Sequence, residues 1–324
     1  SANGCPGTPS SYVITVNPGP NVIVPANITI CNTATVAASA YTSTTPGATF
    51  AWTNSNTAIG LVASGSGNTP SFTATNASAL PITATITVTP TANGCPGTPS
   101  TYTITVNPTP VVTVPANITV CNTAAVAASA YTSTTPGATF AWTNSNTSIG
   151  LAASGTGNTP AFTATNTSAL PITATITVTP AANGCPGTPS TYTITVNPTP
   201  VVMVPANLTV CNSSAVAASA YTSTTPGATF AWTNSNTAIG LAASGTGNTP
   251  AFTATNTTAL PITATITVTP TANGCPGTPS TYTITVNPTP VVTVPTNITV
   301  CNASAIAASA FTSTTPGATF AWTR

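Results

Sequence analysis

Aspartate, glutamate, histidine and lysine are all missing from these 324 residues, and the one arginine, Arg324, is the last residue. Ordinary globular chains are about 25% charged. The deficit removes whole classes of activity. Nucleic-acid binding draws on Lys and Arg set against phosphates. Calcium and magnesium sites want carboxylates, and general acid–base catalysis wants His, Asp, Glu or Lys. No enzymatic activity, cofactor, metal or nucleic-acid partner is therefore expected. Long apolar runs are missing too: Thr, Ser, Asn or Pro interrupts every stretch short of the ~20 residues a spanning helix needs. No membrane insertion is expected. Helical spacing of apolar residues is absent throughout. With no Lys or Arg before the last residue, trypsin has no internal target, which suits a life among extracellular proteases.

What the chain does have is repetition. ANGCPGTPS returns with Cys5, Cys95, Cys185 and Cys275, each 90 residues after the last. CN returns on the same period at Cys31, Cys121, Cys211 and Cys301, and TFAWT at Trp52, Trp142, Trp232 and Trp322. Self-similarity at a fixed spacing marks an array, and a period of this length fits a complete small β-domain rather than one turn of a solenoid. The period divides the chain into the C-terminal strand of a truncated preceding repeat (1–18), β-sandwich repeats at 19–108, 109–198 and 199–288, and the N-terminal part of a truncated repeat (289–324). Cut within a repeat at both ends, the sequence is expected to be a window on a longer protein.

Within one period the strand signals are clear. Val111–Val114, a kink at Pro115 and Asn117–Val120 make a first strand broken in two. Ala124–Tyr131, Ala138–Thr143 and AFTAT around Phe162 follow. Ile172–Thr179 alternates strictly, with Ile172, Ala174, Ile176 and Val178 inward and four Thr outward. Asn183-Gly184 is a hairpin turn signal, and Thr191–Val196 returns. Ser11–Val16 alternates in the same way. β-branched alternation punctuated by Gly, Pro and Asn predicts an all-β sandwich, Ig-like, with seven strands per repeat. Phe50, Trp52, Phe140, Trp142, Phe230, Trp232 and Trp322 are assigned to the cores rather than to a sugar-stacking platform. The Thr ladders are the wet faces of half-buried strands. Only Asn-Pro-Thr-Pro joins one repeat to the next, a stiff and extended joint. Repeats so joined are expected to stack into a rod.

VPANITVCN, TPGATFAWTNSN, IGLAASGTGN and PITATITVTPTANGCPGTPSTYTITVNPTP together resemble the PKD-like and Ig-like repeats of very large secreted surface proteins of Bacteroidetes, the gliding and adhesion type and other type IX secretion cargo. The resemblance spans the chain. It implies tandem sandwiches serving as spacer or adhesive array, exported and held at or shed from the cell surface, with no catalytic residues to carry over.

Two cysteines per repeat at fixed positions, in a chain of extracellular type, point to disulfides. In an Ig-like order Cys121 and Cys185 lie at opposite ends of one sandwich, beyond the ~7 Å Cα limit for a bridge. In a rod, the far end of one repeat meets the near end of the next, pairing Cys31 with Cys185 and Cys121 with Cys275. This inter-repeat pattern is favoured. The alternative closes each repeat on itself, Cys31 with Cys95, Cys121 with Cys185 and Cys211 with Cys275, if the ANGCPGTPS loop folds back. The expected function is the structural repeat region of an extracellular fibre, filament or adhesin stalk, secreted or at the cell surface. A multivalent glycan- or surface-binding adhesin array is the alternative. Its partners are neighbouring repeats or self-association, with surface glycans possible under the second reading.

Overall fold

In the computed structural model, which describes residues 1–323, the chain is all-β. Three units of one design follow each other on the 90-residue period, and Arg324, the end of the 289–324 segment, lies outside the described residues. The middle unit serves for all. Its strands are β1 Val112–Thr113, β2 Ile118–Cys121, β3 Ala125–Val126, β4 Thr132–Ser133, β5 Thr139–Asn144, β6 Ser154–Thr156, β7 Phe162–Thr163, β8 Ile172–Ala182, β9 Cys185–Pro186 and β10 Ser190–Asn197. One sheet has the order β2-β10-β8-β5-β6, with β9 continuing the hairpin from β8; the opposing layer is the two small ladders β1–β4 and β3–β7.

The long hairpin β8–β10 is the backbone of the unit. Its register sets Ile176 against Tyr192 and Ala174 against Ile194, so the alternation seen in the sequence places one apolar row from each strand in the same core. Thr173 and Thr195, on the other face, share a hydroxyl hydrogen bond of 2.9 Å. The turn is closed by Asn183 and Gly184, both with positive φ (52° and 76°), the backbone a two-residue hairpin requires. Proline at 115 splits the first strand as expected. β1 joins one layer and β2 crosses to pair parallel with β10 in the other, Ile118 opposite Ile194. Ala124–Tyr131 differs from the continuous strand expected. It appears as β3, an isolated bridge from Ser129 to Thr159, then β4, because this segment changes partner from β7 to β1 along its length. A one-turn 3-10 helix at Thr147–Ile149, capped by the Asn146 side chain, drops Ile149 into the core.

Trp142 lies in that core, 3% exposed, as do Trp52 and Trp232 in their units. Phe140 is half-buried beside it and meets Tyr131 edge-on, ring centroids 5.8 Å apart; Phe50 and Phe230 do the same with Tyr41 and Tyr221. Trp322 does not follow its equivalents. It is 73% exposed, because 289–323 contributes only the ladder Val292–Thr293 with Thr312–Ser313 and brings no second layer to cover the ring. Residues 11–16 likewise form no strand. Tyr12 and Val16 are exposed, whereas Tyr102 and Val106, their counterparts one period on, are buried against Ile82–Ala92. An alternating segment is a strand only when a ladder partner supplies its hydrogen bonds.

The core also holds a polar group of three. Tyr192 Oη lies 3.2 Å from both Tyr131 Oη and Thr159 Oγ1. Burial pushes the Tyr131 phenol above its ordinary value, as it does those of Tyr41 and Tyr221, with the neighbouring tyrosine adding to the effect. A phenol harder to ionise in the fold than in the unfolded chain adds stability below about pH 10, and that stability is lost as pH rises through the phenol range. No side chain with an ordinary pKa between about 4 and 8 exists here. The urea midpoint is therefore expected to stay flat from about pH 4 to 8 and to fall above about pH 10. An acid-unfolding midpoint near pH 4 would contradict this.

Candidate functional site: the junction between repeats

The end of each unit is built on its last strand and the strand beside it. In the first unit Ile28–Cys31 runs parallel to Ser100–Asn107, with Cys31 opposite Asn107. Asn32 then acts as a latch. Its backbone N–H donates to Asn107 O (2.9 Å), its Nδ2 donates to Thr109 Oγ1 in the joint (3.1 Å), and its Oδ1 accepts from the Asn76 N–H (2.8 Å). Asn76 Nδ2 in turn donates to Val106 O (2.8 Å) and Leu80 O (2.9 Å). Both amide hydrogens of Asn76 are thus committed within the fold. One period on, Asn122 and Asn166 repeat the arrangement around Asn197 and Thr199.

The next unit meets this end with its β8–β9 turn. Asn107 Nδ2 donates across the joint to Asn183 O (3.0 Å). Cys31 and Cys185, just past that turn, form a disulfide with their Cα atoms 5.6 Å apart, inside the range a disulfide spans. Cys121 and Cys275 form the second, also at 5.6 Å, and each closes 154 residues of sequence. The connecting segment is held as well. Val111 bridges to Thr188, and a Cβ built on Gly187 would overlap the Pro110 carbonyl oxygen. The glycine of CPGTPS is the place where the incoming chain lies flat against the unit it enters.

The intra-repeat pairing does not occur. Cys31 sits at the Ile82 end of the 11-residue strand Ile82–Ala92 and Cys95 past its other end, a separation of ~33 Å at ~3.3 Å per residue. Cys121 with Cys185, and Cys211 with Cys275, face the same geometry. Cys5, Cys95, Cys211 and Cys301 are free thiols among the described residues. Burial follows the same division. Cys185 and Cys275 are 2% and 1% exposed, whereas Cys211 is exposed; Asn107 and Asn197 are buried, whereas Asn287 is half-buried and Pro290 exposed. A unit's end is covered where a complete unit follows it. Sequence reasoning met the asparagines of this joint only as parts of the CN motif, the Asn-Pro-Thr-Pro linker and the Asn-Gly turn, and did not foresee their contacts. Their signal was the recurrence of Asn in CN, TATN and VNP on the same period.

The family described as PKD-like domain matches residues 28–110, 118–200 and 208–290. Among solved structures the chain is similar to three consecutive immunoglobulin domains of titin in a Glu-to-Ala variant, with a TM-score of 0.50 and 8% identity, over 85% of this chain and 100% of that one. It is also similar to extracellular cadherin domains 22–24 of mouse Cadherin-23, with a TM-score of 0.41 and 10% identity, over 84% of this chain and 100% of that one. None of the curated proteins compared with the chain matches it.

Proposed function

This chain belongs to the PKD-like domain family, and from that premise we propose that it is the structural repeat region of an extracellular fibre, filament or adhesin stalk, in an exported surface protein of the kind its motifs resemble. PKD-like and Ig-like repeats are typically non-catalytic structural domains. In this reading the repeats divide at 19–108, 109–198 and 199–288. The observation that carries it is the joint itself. Each junction has a disulfide, an Asn-to-Asn hydrogen bond and a Pro-bounded connector lying against Gly187 or its equivalent. A joint fixed at several separate points resists bending, which a spacer or load-bearing stalk requires and a loose binding array does not. Disulfides persist in oxidising compartments, which supports an extracellular setting. The reading as a multivalent glycan array has less support, because the tryptophans of the three units lie in their cores.

Small-angle scattering and negative-stain images of the oxidised chain test the proposal. Straight particles of constant angle between units are expected, with bending increased after reduction. Collapsed globules, or units swinging freely while both disulfides are intact, would refute it. Binding to a glycan array by the three-unit chain, without stiffness, would favour the adhesive reading instead.

A further inference from the structure

Each complete unit leaves one sheet edge open. β2 has a single ladder partner, β10, and nothing pairs with its other side; Ile28–Cys31 and Leu208–Cys211 stand at the same margin of their sheets. Along such an edge a row of backbone N–H and C=O groups points away from the sheet without a partner. Ile118 and Val120, half-buried, reach the core from this margin. Beside it runs a segment of small side chains. Ala125, Ala127, Ala128 and Ala130 are exposed, as are the residues at the same places in the other two units. In the third unit a groove of about 380 Å³ opens between the strand and this segment, lined by Leu208, Val210, Val216, Ala218 and Tyr282. The opposite edge, β6, has only three residues and ends at Gly157 with a φ of 71°.

Resting on the fibre reading above, we infer that β2 and its equivalents are lateral docking edges, on which a second copy of this chain adds its own β2 by strand pairing. Natural sheets keep their edges apart with lysines, inward charges, prolines or bulges. Charge is unavailable to this chain, and Pro115 stands three residues before β2 rather than within it. An unpaired edge is satisfied by another unpaired edge, and each copy carries one in every unit on the 90-residue period. No like charges oppose the approach of two copies, and none would select a charged partner instead. The alanines leave room for an incoming backbone, where larger side chains would hold it off.

The face pattern sets the register. An antiparallel pair centred on Thr119 puts Ile118 of one copy beside Val120 of the other on the inner face. Thr119 then meets its own counterpart on the outer face. The contact is isologous, the same patch serving both copies. One pair of four-residue strands falls well short of the ~800 Å² per partner that a stable interface buries. A copy with several edges is held at several points or holds several neighbours, so binding strengthens with the number of units.

The test uses the full oxidised chain with its free thiols alkylated, which prevents covalent links between copies. Sedimentation velocity over a concentration series is expected to show dimers and larger species in reversible exchange, and sodium chloride should not dissociate them, since no ion pair holds them. The triple variant Thr29→Lys, Thr119→Lys and Thr209→Lys sets like charges opposite each other at every docked edge. It should raise the concentration for half-association at least about tenfold while keeping both disulfides. Thr57→Lys, Thr147→Lys and Thr237→Lys add the same charge at exposed positions on the 3-10 turns, and should shift it less than about threefold. Amide exchange in peptides containing 118–121 should slow on association, with 154–156 unchanged. Chain that stays monomeric up to its solubility limit would overturn the inference. So would an equal response to the two lysine sets, or protection at 154–156 in place of 118–121. Scattering from the edge variant, measured as a monomer, tests the stiffness of the joints separately, so that either reading can fail without the other.

Discussion

Pulled from its two ends, the oxidised chain is expected to release only about 220 Å of contour between Cys31 and Cys275, where the reduced chain releases about 830 Å. The difference comes from the path the load takes. Without disulfides it follows all of the backbone between those residues, roughly 240 residues at ~3.4 Å each. With them, load entering at Cys31 crosses at once to Cys185, and load leaving through Cys275 can come from Cys121. The shortest covalent route is then the stretch between Cys121 and Cys185, about 64 residues of the middle unit. Most of the first and third units' sequence within this span is bypassed and cannot be drawn out however hard the ends are pulled. Single-molecule extension with and without a reducing agent measures both lengths directly. Equal lengths in the two conditions would mean that the junction disulfides do not carry load.

Removing the indole of a complete unit should be the most damaging single change to stability. Trp142→Ala is expected to cost about 3–5 kcal/mol, the range for deleting a large buried aromatic. The same change at Trp322, in the same TFAWT context, should cost less than about 0.5 kcal/mol, because that ring is exposed. The fit around Trp142 is tight. Gly155, paired with it across β5–β6, lies under the ring, so that a Cβ there would overlap Cζ2 and sit 2.7 Å from Cε2. Gly155→Ala should therefore destabilise by about 1–3 kcal/mol, and less than additively when combined with Trp142→Ala, since the second change removes the obstruction. The indole Nε1 is buried without a hydrogen-bond partner in all three units. Shape rather than polarity holds the ring. Denaturant unfolding of the chain resolves the effect as one transition moved out of three, a pattern that a multidomain chain permits. Similar losses at Trp142 and Trp322 would contradict the assignment.

The period, the sheet-forming segments and the hairpin were legible because each is a local pattern. Ile172–Ala182 runs three residues past the alternation first visible, since Pro180 is tolerated inside it: its carbonyl still accepts from Gly187 N–H at 2.8 Å. What was not legible depends on residues far apart in the chain. Asn32 meets Asn76 and Thr109, 44 and 77 residues away, and nothing local distinguishes it from the many other asparagines. Gly155 is an ordinary glycine until Trp142 is seen above it. Trp322 and Ser11–Val16 carry the same local signals as their buried counterparts and differ only in what packs on them. Burial is a property of the assembled unit, and sequence pattern reports only readiness for it.

The two disulfides overlap. One spans Cys31 to Cys185 and the other Cys121 to Cys275. Scission of any one peptide bond between Cys31 and Cys275, by a protease or by slow hydrolysis, leaves both halves tethered through at least one sulfur bridge. Between Cys121 and Cys185 they are tethered through two. The array is spliced in the manner of a rope, in which no single broken fibre parts the line.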